Sequence, residues 1–400
     1  MDWSFLTRNK SALSVSTDSR NITEGCVFFA LHGDTFDGNR FAAEALQKGA
    51  SLVVVDNPEI FQTLPQDKAL LVENTLLALQ DLARSWRREL GVQVIGITGT
   101  NGKTTTKELT AAVLKTKYNL LYTQGNLNNS IGVPQTVLRL TREHNLALIE
   151  MGASHPGDIT ELVNVCEPNC GLITNVGKAH LLGFGSFEGV KQTKKELYDF
   201  LAAHGGFCFR NLDNPDLAKM AGTLKTVGYH TGTMLSGTQL VGDYNSENIQ
   251  AALCIGEYFG VSREKGEAAI RAYVPTNNRS QLLQTANNTI IVDAYNANVT
   301  SMTAAINAFE GDTLILGDML ELGDYSLQEH QAIINLIREN GFQDVYLVGN
   351  EFAAAEHQPF LVFSAVEQLR LALAIKPLKG RRILLKGSHG IHLEKLIEIL

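Results

Sequence analysis

Gly99-Thr100-Asn101-Gly102-Lys103-Thr104-Thr105 follows the apolar run Val94-Ile95-Gly96-Ile97 and leads into helix-forming residues. Glycines let backbone N–H groups approach an anion closely, the lysine adds a point charge, and the start of a helix presents its positive end to the same spot. That order builds a polyphosphate site, with Lys103 on the β and γ phosphates and the Thr104 hydroxyl reaching a magnesium ion. The expected ligand is a nucleoside triphosphate. A strict loop of this kind would place glycine at position 97, where the chain has Ile97, so TGTNGKT is a shorter variant.

Other candidates stand where apolar runs end. Asn145-Leu-Ala-Leu-Ile-Glu150 closes on an isolated carboxylate, able to hold magnesium beside phosphates or simply to cap a turn. Gly171-Leu-Ile-Thr-Asn175 leads into Val176-Gly-Lys-Ala-His180, which puts a histidine just past another such end. A histidine there is structural as readily as functional, and the neighbouring acid and phosphate loop argue for function. The segment Gly189-Val-Lys-Gln-Thr-Lys-Lys-Glu-Leu197 offers Lys191, Lys194 and Lys195. Spacing does not choose among them, and a solvated helix face accounts for all three.

Such groups come together only if a sheet aligns the ends that carry them. Short apolar runs alternate with helical patterns almost throughout, the mark of an α/β protein with mostly parallel sheets. Ligands of such sheets sit outside the carboxyl ends of the strands. Residues 1–74 read as a small α/β module with strands in GCVFFAL, SLVVVD and ALLVEN. Residues 75–281 begin with the amphipathic LLALQDLARSWRREL and carry strands in VIGIT, NLALIEMG, GLITNVG and GFCFRN. Residues 282–400 hold TIIVDAYN, DTLILGDM, DVYLVGN and RRILLKGS, three of which run into glycine as strands of a doubly wound sheet do. Four hundred residues exceed one core, since cores stop growing at about 250 to 300 residues.

With 44% hydrophobic and 19% charged residues the composition is that of an ordinary globular protein, and a net charge of -8 argues against a nucleic-acid partner. The N-terminal residues lack the apolar core of a signal peptide, and no run approaches the roughly 18 apolar residues of a membrane span. A cytoplasmic location without membrane insertion is expected. Five cysteines, an odd number without zinc spacing, are then reduced thiols.

Taken together, TGTNGKTTTKE, QGNLNNSIGVP, IEMGASHPGDI, TNVGKAHLLGFGSFEG, VDAYNAN, LGDMLELG and LLKGSHG, in that order along the chain, resemble the Mur ligase family. NNSIGVP, AHLLGFGS and DAYNAN are similar to its member that adds D-Ala-D-Ala to UDP-N-acetylmuramoyl-tripeptide in bacterial cell-wall synthesis. The resemblance implies a UDP-sugar module, a central P-loop ATPase-like domain and a Rossmann-like domain that closes over them; a monomer is expected. It implies a reaction in which ATP converts a carboxylate to an acyl phosphate that an amine then attacks. Another amide ligase of the superfamily, or a nucleotide-binding protein without catalysis, is the competing reading.

Residue by residue, the family motif places a modified lysine four positions before an aromatic. Tyr198 thereby marks Lys194, which the resemblance implies is carbamylated and, with Glu150, His180 and Thr104, supports two magnesium ions. Asn245 and Asn248 match the family's adenine side, Arg279 its ribose and phosphate side, and Asp293 and Asn296 come from the last domain. Thr17, Asp18, Ser19 and Arg20 resemble the uridine segment, and Asn128 and Asn129 are expected nearer the peptide. The chain departs from its relatives at Asn278, where glycine is frequent, and at Val299, where proline is.

Overall fold

The computed structural model describes residues 2–33, 35–276 and 279–400; Asn278 lies outside them. Among the described residues, three sheets of four, six and six strands follow one another along the chain, beside a two-stranded antiparallel ribbon of His32–Gly33 on Phe36–Asp37. The first pairs Val15–Ser16, Val27–Phe29, Leu52–Val55 and Ala69–Leu71, all parallel and in that order.

The second sheet has six parallel strands, ordered Thr226–Tyr229, Phe207–Asn211, Cys170–Ile173, Gln93–Thr98, Leu146–Glu150 and Leu120–Tyr122. Its three middle strands are buried almost end to end, so their sequences read as unbroken apolar runs rather than alternations. From Gln93–Thr98 the chain runs to the edge strand Leu120–Tyr122, returns through Leu146–Glu150 between them, then crosses to build outward on the other side. This makes Gln93–Thr98 the switch point of the sheet, where a crevice opens outside the carboxyl ends. Its two neighbours there are the strands that end at Glu150 and Ile173, with Ile97 opposite Glu150 and Thr98 opposite Ile173.

The third sheet begins with an antiparallel pair, Gln281–Gln284 on Thr289–Asp293, and continues in parallel through Arg382–Lys386, Thr313–Gly317, Asp344–Val348 and Leu361–Phe363. Its own core of Ile291, Leu314, Leu316, Ile334 and Leu384 is separate from that of the central sheet.

Two helices matter for the site. Thr75–Leu90 starts at Asn74, whose side chain accepts from the Leu77 N–H, and stops at Gly91 in the left-handed region. Its Trp86 is fully buried with Nε1 donating to the Leu140 carbonyl at 2.9 Å. One continuous core joins this helix to Val27 and Phe29 of the first sheet and to Val94 and Ile149 of the second. Burial of each such large side chain stabilises by about 1.5–3 kcal/mol, which anchors the small first module onto the central domain.

Helix Phe187–Ala203 is capped by Ser186 and buries Val190, Lys194, Leu197 and Leu201, positions that share one face at helical spacing. All five cysteines are free thiols, four of them buried; burial pushes Cys166 and Cys170 up to about 12, so they are protonated and inert. Among the described residues no helix is long and apolar enough to cross a membrane.

Candidate active site

The phosphate loop is shaped by what its glycines permit. Gly99 has φ +142°, and a Cβ there would lie 2.0 Å from the Thr174 hydroxyl; Gly102, at φ +76°, would meet the Asn248 amide oxygen at 2.4 Å. Only glycine fits either position. The neighbouring strand end holds the loop: Thr174 Oγ1 donates to the Asn101 carbonyl at 2.6 Å, and the Asn101 N–H donates to Asn175 Oδ1 at 2.9 Å. Helix Lys103–Leu114 then starts directly beneath the loop.

Lys103 folds back across this loop and donates to the Gly99 and Thr100 carbonyls at 2.7 and 2.8 Å. Burial pulls its pKa down to about 8, against the opposing charge of Glu150 and with help from Arg279. Folding therefore disfavours the ammonium, and between pH 8 and the unfolded value near 10.4 the unfolded chain binds more protons, so stability contributed here rises with pH. Nucleotide affinity moves the opposite way, because phosphates need the charge. Calorimetric titration with ADP is expected to show affinity level below pH 8 and falling by up to about tenfold per unit above it. Affinity constant to pH 10 would contradict that role for Lys103.

Glu150 is 1% exposed. Its Oε1 accepts from Thr104 Oγ1 at 3.0 Å and from Asn128 Nδ2 at 2.8 Å, and its backbone N–H donates to Thr123 Oγ1 at 2.9 Å. Its second oxygen, Oε2, is buried with no hydrogen-bond partner. A buried carboxylate oxygen left unpaired is costly unless a cation completes it. The donor set fits magnesium, which takes one or two carboxylates, a hydroxyl and the phosphates of a bound nucleotide. Among the described residues no three His, Cys, Asp or Glu side chains gather into a ready-made metal cage.

The three lysines of helix Phe187–Ala203 separate cleanly. Lys191 pairs with Asp216 at 2.9 Å and Lys195 with Asp199, whereas Lys194 is 2% exposed. Its Nζ has the Ala153 carbonyl 3.5 Å away and the Phe184 ring centroid at 5.3 Å. Burial, reinforced by the charge of Lys103, pushes its pKa well below the usual lysine range. Lys194 lies behind the cleft wall at Ala153 rather than on its surface.

A cleft of about 780 Å³ opens between the central and C-terminal domains. It brings together the phosphate loop, Glu150, His180, Asn128 and Asn129, from the far side Asp293 and Asn296, and Arg279 from the segment that joins the two domains. Asn245 and Asn248 start helix Asn245–Tyr258 and also line it, but their amides already hold one another at 3.0 Å, and Asn248 accepts from Thr106 Oγ1 at 3.0 Å. Arg279 stacks on Tyr295 with its guanidinium carbon 3.9 Å from the ring centroid, and Asp293 pairs with buried Lys386 at 2.5 Å. Thr17, Asp18, Ser19 and Arg20 do not line the cleft. Thr17 instead accepts from Gln135 Nε2 at 2.6 Å, Arg20 pairs with Asp18, and Ser19 accepts from Lys48.

Polar pairs among the described residues tie the C-terminal domain to the central domain beside this cleft. Asn101 of the phosphate loop and Asn298 exchange amide hydrogen bonds at 2.8 and 3.4 Å. Lys178 meets Glu329 at 2.9 Å, and His180 Nδ1 is bonded to Glu321, whose carboxyl this contact holds below its usual range.

Three domain signatures match in chain order: the Mur ligase family catalytic domain over residues 13–87, the Mur ligase middle domain over 97–235, and the Mur ligase glutamate ligase domain over 278–389. The UDP-N-acetylmuramoyl-tripeptide–D-alanyl-D-alanine ligase of Bacillus subtilis is 34% identical over 430 residues, covering 96% of this chain and 92% of its own. The chain belongs to the Mur ligase family. The ligase of the same name from Escherichia coli is 34% identical over 97% of this chain and 93% of its own. Among solved structures, the MurF ligase from Thermotoga maritima in complex with ADP superposes with a TM-score of 0.85 at 27% identity, covering 97% of each chain. MurF from Acinetobacter baumannii gives 0.84 at 29% identity, over 96% of this chain and 92% of the other.

In this Mur ligase the residues the sequence reading left without a role are Glu321, Asn298 and Lys386. All three lie inside motifs quoted above, LGDMLELG, VDAYNAN and LLKGSHG, and close to carboxyl ends of strands. Position at or just past a strand end was the available signal. Their partners, however, sit 141, 197 and 93 residues away in the chain, respectively.

Proposed function

We propose that this Mur ligase spends ATP to join D-Ala-D-Ala to UDP-N-acetylmuramoyl-tripeptide, a step of peptidoglycan precursor synthesis. The observation that carries the reading is the unpaired buried oxygen of Glu150 beside Thr104, at the switch point of a sheet whose phosphate loop faces a second domain.

The tripeptide carboxylate is a poor acyl donor because its leaving group would be oxide. Its oxygen attacks the γ phosphorus of ATP, the bond to ADP breaks, and an acyl phosphate results. The amine of D-Ala-D-Ala then attacks the acyl carbon; a tetrahedral intermediate collapses with loss of phosphate and of the amine's proton, leaving the amide. Two anions must meet in the first step, so the site needs concentrated positive charge. Lys103 supplies it once phosphates draw its ammonium from the Gly99 and Thr100 carbonyls. Thr104, Glu150 and His180 would hold magnesium, which would supply further charge neutralisation on the phosphates.

Lys194 is suited to carry a carbamate. Burial shifts its amine toward the neutral form, and a neutral amine adds carbon dioxide, releasing one proton and becoming an oxygen-donor anion. Asn245, Asn248 and Arg279 are assigned to the nucleotide, with Asp293 and Asn296 facing it from the C-terminal domain. Asn128 and Asn129 border the peptide end, and Thr17 to Arg20 serve the uridine end of a substrate long enough to leave the cleft. Every site residue named here comes from one chain, and the protein works as a monomer in the cytoplasm.

A coupled ATPase assay across substrates tests the reading. Phosphate release is expected only with UDP-N-acetylmuramoyl-tripeptide and D-Ala-D-Ala together. Turnover with a single amino acid and a shorter precursor would assign a different Mur step, and turnover with neither would remove the ligase reading.

A further inference from the structure

His180 and Glu321 belong to different domains. The first follows the central strand Cys170–Ile173, the second the C-terminal strand Thr313–Gly317, and the His180 ring meets the Glu321 carboxylate through Nδ1. A carboxylate can only accept, so the shared hydrogen sits on Nδ1 and a neutral ring keeps its lone pair on Nε2. This is the arrangement by which an acid orients a metal-ligating imidazole, fixing tautomer and ring direction and raising the basicity of the ligating nitrogen.

The rest of the contact holds the same two segments in place. The Leu182 N–H donates to the Glu321 carbonyl at 3.4 Å, so main chain as well as side chain docks there. The Phe184 ring stands edge-on to the imidazole, centroids 6.3 Å apart. His180 itself has φ +51°, a left-handed conformation that a residue with a side chain keeps only where its surroundings demand it. Without the C-terminal domain the ring loses its acceptor.

We infer that Glu321 is a positioning residue, delivered by the C-terminal domain to fix the tautomer and orientation of His180, so that cation binding on the central domain depends on domain closure. The inference rests on the assignment of His180 as a magnesium ligand. It adds that a group outside the central domain completes that ligand.

Manganese, detected by electron paramagnetic resonance, serves as the probe in titrations of the full chain with a nonhydrolysable ATP analogue. His180→Ala is expected to weaken binding at least tenfold and Glu321→Ala about tenfold, the usual loss on removing such an orienting group. Glu321→Gln, whose amide oxygen still accepts from Nδ1–H, is expected to stay within about threefold of the unaltered chain. The double variant His180→Ala with Glu321→Ala should bind no more weakly than His180→Ala alone. If His180→Ala weakens binding but Glu321→Ala does not, or if Glu321→Gln is as weak as Glu321→Ala, the role given to Glu321 is overturned while the histidine assignment stands. Unchanged affinity in His180→Ala overturns that assignment and the inference with it.

Discussion

Lys194→Ala is expected to lower the ligation rate about a thousandfold, the scale of a lost charge-stabilising metal ligand. Lys194 is 2% exposed on the buried stripe of its helix, and truncation leaves a cavity. A stability loss of about 1–3 kcal/mol is therefore expected alongside, and by itself it would leave the folded enzyme active. Lys194→Met separates the two effects, since it refills the stem and carries no amine. Both variants should be inactive, but only the alanine variant has room for a small acid. Formate or acetate is expected to restore part of its rate and none of the methionine variant's. Equal rates in Lys194→Met and the unaltered enzyme would eliminate the carbamate.

Lys103→Met is expected to reduce kcat by about 10² to 10³, the loss seen when one preorganised group is withdrawn from developing negative charge. The unfolding midpoint of the unliganded protein should not fall. Burial already holds the Lys103 ammonium down to about 8, so at pH 7 its charge opposes folding, which offsets the two hydrogen bonds it makes to the loop carbonyls. Activity and stability should thus part company, and steady-state kinetics beside a thermal melt reads both. A large fall in the midpoint with unchanged kcat would make Lys103 a structural lysine.

The sequence was most legible where function is local. Seven consecutive residues build the phosphate loop, and the reasons for Gly99 and Gly102 are backbone angles within it, together with one close neighbour each. The buried central strands were equally plain, since burial on both faces leaves an unbroken apolar run. Edge strands Leu120–Tyr122, Thr226–Tyr229 and Leu361–Phe363 were not read, because three or four residues carry too little periodicity and their extension comes from pairing with a neighbour. The choice among Lys191, Lys194 and Lys195 did have a local signal. Val190, Leu197 and Leu201 mark a helical stripe on which only Lys194 falls, but the polar character of the segment masked it.

By itself the sequence determined the triphosphate loop, the α/β class, the candidates Glu150 and His180 at strand ends and, through its ordered motifs, the family. Only the tertiary structure decided that Glu150 keeps one buried oxygen unpaired, that Lys194 is shut away from water, and that His180 and Asn101 find their partners on another domain. The division has a physical cause. Backbone conformation and apolar periodicity are set by residues a few positions apart, whereas burial of a charge and the partner it meets depend on which distant segments the packed sheets bring to the same cleft.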